Sequence, residues 1–326
     1  MIKIKEENNL NFWAKLPRPF FCLAPMSDVT DIAFRKILAK YGKPDVMYTE
    51  FVSVDGLCSE AGRPKLMIDL EYTKKERPIV AQIFGSKPDN FLKIAKLIKK
   101  LGFDGIDINM GCPERSINRK QCSGAELIRH PKLAAEIIAA TKEGADGLPV
   151  SVKTRIGYNR NQIEEWIPVI LDSKPAALII HGRTKKEMSK MPADWQVIRQ
   201  VVEMAQGNNI PVVGNGDVRS LVEAVERVEE SGVDGVMVGR GIFGNPWLFN
   251  GQTGQEVSLD KRLRVMIEHA KLFEKLLMPE KRFDPIKKHF KAYLSCWPET
   301  KDLRTELMNV NSVSETEKVV KKYFNK

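Results

Sequence analysis

The chain has 326 residues, 43% of them hydrophobic and 29% charged, and a formal charge of +10. That length can bury a large core without metal or disulfide support; no long apolar run or apolar N-terminal signal core is present, so neither a membrane span nor a secretory leader is expected. The excess of Lys and Arg favours polyanions without naming one.

In chain order, short β-rich apolar runs alternate with amphipathic segments of helical length. Strands are predicted at Phe21–Met26, Val46–Phe51, Ile79–Phe84, Gly105–Asn109, Val150–Thr154, Ala177–His181, Pro211–Gly214 and Gly235–Val238. Helices are predicted at Asp31–Lys40, Asp89–Leu101, Pro131–Thr141, Gln162–Leu171, Trp195–Ala205 and Ser220–Ser231, the first behind a Ser/Thr/Asp cluster that suits a helix start. Strands each followed by a helix or long loop imply parallel pairing through crossovers. Eight such units close into a (β/α)8 TIM barrel of α/β class. An open doubly wound sheet would carry G-x-G-x-x-G after its first strand. Here that strand ends in Ala24-Pro25-Met26-Ser27, without glycine.

After Gly239-Arg240-Gly241 the pattern changes. Gln252–Ser258 reads as a linker, and Leu259–Met278, Asp284–Cys296, Lys301–Met308 and Ser314–Tyr323 as helices punctuated by Pro279 and Pro298. The expectation is a catalytic barrel over residues 1–250 and a small all-helical domain over residues 251–326. From Gly251 onward 16 Lys and Arg stand against 11 Asp and Glu, so half of the net charge lies in this tail. Lys287, Lys288 and Lys291 share one helix with His289, Phe290 and Tyr293. That mixture occurs on RNA-contacting surfaces, and equally on a helix with a solvated basic face and an aromatic core face.

The polar residues cluster at the C-terminal ends of several strands, where barrels build their active sites. The fourth strand runs into Asn109-Met110-Gly111-Cys112-Pro113. Glycine and proline on either side would aim the Cys112 thiol over the mouth. A thiol is mostly protonated at neutral pH, so it can serve as an acid, or as a nucleophile if a neighbour lowers its pKa; it could also be a buried structural cysteine. The five cysteines form no C-x-x-C pair, which fits a reduced, cytoplasmic protein without a bound metal.

The stretch Gln82-Ile83-Phe84-Gly85 ends the third strand, where the Gln82 amide can donate and accept at the edge of a flavin or a pyrimidine, or merely cap the strand. Lys153, at the end of the fifth, calls for an anionic partner: a reduced flavin edge, or a carboxylate such as Asp107. His181 and Arg183 follow the sixth strand. The last two strands lead into Gly214-Asn215-Gly216-Asp217 and Gly239-Arg240-Gly241, turns that suit a phosphate, with Ile242–Phe249 as the short helix of such a site. Arg240 adds a bidentate partner.

Together these segments resemble the tRNA-dihydrouridine synthase family. The likeness runs from Ala24-Pro25-Met26-Ser27-Asp28-Val29-Thr30-Asp31 through Thr49-Glu50-Phe51, Gln82-Ile83-Phe84-Gly85, Asn109-Met110-Gly111-Cys112-Pro113, Lys153-Thr154-Arg155-Ile156-Gly157 and His181-Gly182-Arg183-Thr184 to Phe243-Gly244-Asn245-Pro246-Trp247. The resemblance implies FMN held by Pro25, Met26, Ser27, Gln82, Lys153, His181, Asn215, Gly216, Asp217, Gly239 and Arg240. It implies Cys112 as the proton donor, and Asn109 and Arg183 facing the target uridine. It also implies NADPH (or NADH) as reductant and a tail that binds tRNA. Arg115, Arg119 and Lys120 beside the cysteine, Lys185 and Lys186 after the sixth strand, and Lys287, Lys288 and Lys291 in the tail are candidates for the RNA. No metal and no membrane partner are expected, and the protein is expected to act as a monomer. Two alternatives stand beside this reading. One is a flavin barrel acting on a free pyrimidine, similar to dihydroorotate dehydrogenase, against which the basic tail argues. The other is a tRNA-binding or chaperone protein with a vestigial flavin site, against which the complete set of Gln82, Lys153, His181 and Cys112 argues.

Overall fold

The computed structural model describes residues 11–114, 122–252 and 256–324; Arg115, Arg119 and Lys120 lie outside them. One parallel sheet curls into a barrel. β1 (Phe20–Leu23) pairs with β9 (Gly235–Val238), followed in order by β8 (Val212–Asn215), β7 (Leu178–His181), β6 (Val150–Arg155), β5 (Gly105–Met110) and β4 (Ile79–Phe84). β4 then pairs with both β2 (Met47–Tyr48) and β3 (Val52–Ser53). The seam between β1 and β2 is closed by a bridge from Cys22 to Val46, with the Leu23 N–H donating to the Val46 carbonyl at 3.0 Å.

β2 and β3 are one stave broken in two. The expected strand Val46–Phe51 is interrupted because a side chain takes over the ladder: the Gln82 N–H donates to Thr49 Oγ1 at 3.2 Å. Glu50 is thereby freed to turn away from the sheet. Around the barrel pack α1 (Ile32–Tyr41), α4 (Pro88–Leu101), α5 (Pro131–Ala145), α6 (Ile163–Asp172), α7 (Trp195–Ala205) and α8 (Leu221–Ser231), with the short α2 (Val54–Cys58) and α3 (Arg63–Leu66) between β3 and β4. Their starts follow capping chemistry. Asp31, Asp194 and Ser220 accept the N–H groups of Phe34, Val197 and Glu223 at 2.9, 3.0 and 3.1 Å.

The period of two along each strand sorts the core. Leu178 and Ile180 of β7 join the layer under the helices, while Ile179 joins Phe20, Cys22, Tyr48, Val80, Val213 and Met237 in a second cluster inside the barrel. Trp13, fully buried, belongs to that inner cluster. Further along the same strands the alternate positions become polar: Gln82, Asn109, Lys153, His181 and Asn215.

The C-terminal part is helical: α9 (Leu259–Leu277), α10 (Asp284–Tyr293), α11 (Lys301–Leu307) and α12 (Val313–Phe324). α9 packs on α1, where Glu268 accepts from Lys40 at 2.7 Å and from the Tyr41 hydroxyl at 2.6 Å. Phe34, His269 and His289 pack ring to ring in the same interface. Lys281 reaches back to the barrel, 3.0 Å from Glu50 and 2.7 Å from Asp69. Two expectations are corrected. Ile242–Phe249 is not a helix but the stretch between 3-10 turns at Arg240–Ile242 and Leu248–Asn250, because Gly244 adopts φ +69° and Pro246 has no N–H to donate. α10 stops at Tyr293, short of Cys296, and Thr300 Oγ1 donates to the Leu294 carbonyl at 3.2 Å. Among the described residues no helix is long and apolar enough to cross a membrane.

Candidate active site

The polar strand ends open into one cavity of about 930 Å³. Its walls include all of Pro25, Met26, Ser27, Gln82, Asn109, Cys112, Lys153, His181, Arg183, Asn215, Gly216, Asp217, Gly239 and Arg240. Register explains the convergence. Asn109 of β5 is level with Lys153 of β6, and His181 of β7 with Asn215 of β8, so alternate residues of neighbouring strands point the same way.

A hydrogen-bonded row crosses the β4–β6 side. Ser151 Oγ donates to Asp107 at 2.6 Å, Gln82 Nε2 donates to the other oxygen of Asp107 at 2.7 Å, and Asn109 Nδ2 donates to Gln82 Oε1 at 3.1 Å. The Asn109 oxygen accepts the N–H groups of Gly111 and Cys112 at 3.1 and 2.9 Å. The Cys112 turn is held from two further sides: Arg155 Nε donates to the Gly111 carbonyl at 2.6 Å, and the Ala125 N–H to the Cys112 carbonyl at 3.1 Å. Burial pushes the Cys112 thiol up, against the opposing pull of the Glu114 backbone, Arg155 and Lys153, so at neutral pH it carries its proton.

Lys153 does not pair with Asp107. Its ammonium donates to Asn215 Oδ1 at 3.1 Å, while the Asp107 carboxylate is taken up by Ser151 and Gln82. Burial, then the Arg155 charge, bring Lys153 down to about 8, despite Asp107 and Cys112 nearby. Burial raises Asp107 to about 6, opposed by its hydrogen bonds to Ser151 and Gln82. Burial, then the charges of Arg155, Lys153, Arg183 and Arg240, hold His181 well below its ordinary value, as a neutral ring.

The β7 and β8 loops form the opposite rim. Gly216 has φ +135°, and a Cβ there would come within 2.4 Å of Ala193 Cβ, so the turn requires glycine. Asp217 bonds the nearly buried Arg183 and, at 3.1 Å, the exposed Arg240. Burial alone would raise the Asp217 carboxyl, but Arg183, the Ala193 N–H and Arg240 outweigh it and keep it below the usual range. Arg183 also lies 3.2 Å from His181 Nε2.

Sequence reasoning left Arg155 and Asp107 without functional roles. Both are buried, Asp107 within β5 and Arg155 at the end of β6, and the inward parity of β5 and β6 was the available signal. The tail lysines have different surroundings. Lys287 is turned inward to Asp284 at 2.8 Å and Asn311 at 3.3 Å. Lys288 approaches Asp28 on the first loop at 3.8 Å, and Lys291 is exposed. Lys185 lies 4.8 Å from the centre of the Tyr158 ring. Among the described residues no group of His, Cys, Asp and Glu is arranged to hold a metal ion.

Comparison with known proteins places this architecture. A protein of Staphylococcus aureus (strain COL) named "Probable tRNA-dihydrouridine synthase" is 41% identical over 309 residues, 94% of this chain and 93% of its own. "Probable tRNA-dihydrouridine synthase 2" of Bacillus subtilis (strain 168) is 42% identical over 313 residues, 94% of each. The solved structure of a 2-naphthoyl-CoA reductase complex shares the barrel with a TM-score of 0.54 at 13% identity, over 71% of this chain and 49% of that one. That likeness shows the fold alone, and the chain spans about half of that structure's length. The dihydrouridine synthase (Dus) family model matches residues 22–326, and the chain belongs to that family.

Proposed function

We propose that this chain is a tRNA-dihydrouridine synthase that reduces the C5–C6 bond of a D-loop uridine, with FMN as its resident cofactor and NADPH (or NADH) as reductant. The observation that carries this is the convergence on one cavity of the Lys153 cation, the neutral His181 imidazole, the amides of Gln82, Asn109 and Asn215 and the protonated Cys112 thiol, drawn from β4 to β8 and the loop after β5. The names of the relatives at 41% and 42% identity support the substrate.

The residues present fit a flavin. Lys153 makes no carboxylate contact among the described residues, and its one hydrogen bond goes to a neutral amide. It is therefore available to an anionic ring edge. A Cβ on Gly239 would meet Ala24 and Met26 at 3.6 and 3.8 Å, so glycine there keeps that wall open for a ribityl chain. Arg240 and the Gly216 turn would hold the phosphate. At about 930 Å³ the cavity stands near the top of the usual ligand-pocket range of roughly 300–1,000 Å³, which suits a flavin with a base stacked on it. Bound there, reduced FMN supplies a hydride to C6 of the uracil.

The chain's own part is positioning and protonation. Cys112 keeps its proton because burial raises it, and gives that proton to C5 as the C6–H bond forms. Its thiolate then regains a proton from solvent. Asn109 and Arg183 hold the uracil and its backbone, and Met26 and Phe51 contribute apolar wall to the site. The uridine must leave its stack, at a cost of a few kcal/mol, which basic contacts to the RNA backbone offset. We place those contacts on the helical tail over residues 251–326, as a tRNA-binding domain beside the catalytic barrel over residues 1–250. Cys112→Ala tests the scheme: FMN binding and NADPH oxidation should persist while dihydrouridine formation is lost. An unchanged product yield would remove Cys112 from its role.

A further inference from the structure

We propose that Asp107, a fully buried carboxylate that does not line the cavity, is the positioning residue that fixes which way the Gln82 and Asn109 amides face and thereby seats the Cys112 turn. The direction of the row can be read from its ends. The Gly111 and Cys112 N–H groups can only donate. Both meet the Asn109 side chain, at 3.1 and 2.9 Å, so the amide oxygen must face the turn. The Asn109 nitrogen then faces Gln82 at 3.1 Å, which requires the Gln82 oxygen on that side. The Gln82 nitrogen in turn faces Asp107 at 2.7 Å. Only an acceptor satisfies the row at position 107, and a carboxylate also accepts Ser151 Oγ at 2.6 Å.

Gln82, Asp107 and Asn109 are all buried, so a reversed amide could not turn to water, and a mismatch would cost a full unsatisfied group. The consequence for catalysis rests on Cys112 being the acid. Asp107 touches neither the thiol nor the cavity, and acts through two amides.

The test is a polarity swap in the full-length protein. With Asp107→Asn, the new amide oxygen still accepts from Gln82. Its nitrogen donates to Ser151 Oγ, whose hydrogen turns to the Ile106 carbonyl, 3.4 Å away; the row survives. With Asn109→Asp, the new carboxylate keeps the turn but sets an acceptor against Gln82 Oε1, and rotating Gln82 only moves the conflict to Asp107. In the double variant Gln82 rotates freely: the amide at 107 donates to its oxygen, and its nitrogen donates to the carboxylate at 109. Charge in the row equals that of the wild type.

At about pH 8, Asn109→Asp should lower Tm by about 3–6 °C and speed hydrogen exchange in the Gly111–Cys112 segment about tenfold, the effect of one mismatched buried pair. At about pH 5.5 the deficit should shrink, because a proton taken up by either carboxyl of the row, that at 109 or Asp107, which burial raises to about 6, supplies the missing donor. Asp107→Asn should change little, and the double variant should recover wild-type Tm and protection. If Asn109→Asp does not fold, recovery of a folded double variant is the same result. Additive damage in the double variant overturns the proposal. Neither measurement uses flavin, tRNA or turnover, so the outcome is independent of whether Cys112→Ala abolishes dihydrouridine formation.

Discussion

Arg155→Met removes a guanidinium that ties the Cys112 turn to the β7 loop while keeping a chain of similar length. Three acceptors lose their donor: the carbonyls of Gly111 at 2.6 Å, Thr184 at 3.2 Å and Met188 at 3.3 Å. Met188 is exposed and can turn to water, whereas Gly111 and Thr184 are buried. Two buried charge-assisted bonds at about 1.5–3 kcal/mol each give a gross loss of about 3–6 kcal/mol. Against that stands the strain the wild type already carries. Burial, with the Arg183 charge adding to it, brings the Arg155 guanidinium down from its ordinary value to about 10, in spite of Cys112 and Glu187. At about 1.36 kcal/mol per pKa unit this is about 3 kcal/mol, which the methionine is spared. The net loss of stability should be about 0–3 kcal/mol, read as an equal or lower urea midpoint with unchanged slope. Turnover should suffer more. Arg155 anchors the carbonyl next to Cys112, and a displacement of about 1 Å at a reacting group costs about 100-fold. FMN affinity should stay within a few-fold, since Lys153, His181 and Asn215 stand on other supports. A stability loss above about 5 kcal/mol, or an unchanged rate of dihydrouridine formation, would refute this reasoning.

Lys153 gives a pH dependence with opposite signs for binding and folding. Its ammonium loses its proton near pH 8 in the free protein, so FMN affinity should fall as pH rises through that value, towards about tenfold per unit; titration by flavin fluorescence checks it, and a flat profile counts against Lys153 as the flavin's cation. Folding runs the other way, because the unfolded chain keeps its lysine proton up to about 10.4: this group's contribution to stability rises between those two pH values. Lys281→Met removes the cation shared by Glu50 and Asp69, whose side chains are 6% and 17% exposed. A loss of about 3–5 kcal/mol is expected in urea denaturation, reduced by adding Glu50→Gln. Lys288→Glu with Lys291→Glu should weaken tRNA binding and flatten its salt dependence while leaving NADPH oxidation intact; unaltered tRNA affinity in a filter-binding assay would take the tail lysines out of the interface.

The barrel was legible because its signal is periodic. Runs such as Leu178-Ile179-Ile180 and Val236-Met237-Val238 are apolar on both faces of the strand, as parallel staves under helices must be. Gln82, Asn109, Lys153 and Asn215 break this rule in the C-terminal halves of their strands, so the cavity's lining could be named before any coordinates. What stayed hidden is the partner each side chain takes. Alternation shows that Asp107 and Lys153 both point inward, but which of Ser151, Gln82 or Lys153 occupies the carboxylate depends on stagger between strands. The break at Thr49–Phe51 was invisible for a similar reason: a threonine hydroxyl standing in for a backbone acceptor leaves no mark in composition. Lys287 read as part of a basic face, yet Asp284 three residues earlier is its partner, an i,i+3 pair that the sequence did contain.

The central claim is reduction of uridine in tRNA with the proton delivered from Cys112. The most direct measurement incubates purified protein with FMN, NADPH and an unmodified tRNA transcript, followed by mass spectrometry of the nuclease digest. One D-loop uridine should gain two hydrogens with the wild-type protein and none with Cys112→Ala, while free uracil and uridine remain unchanged under the same conditions. Reduction of the free base in preference to tRNA, or equal yield from Cys112→Ala, would contradict the account.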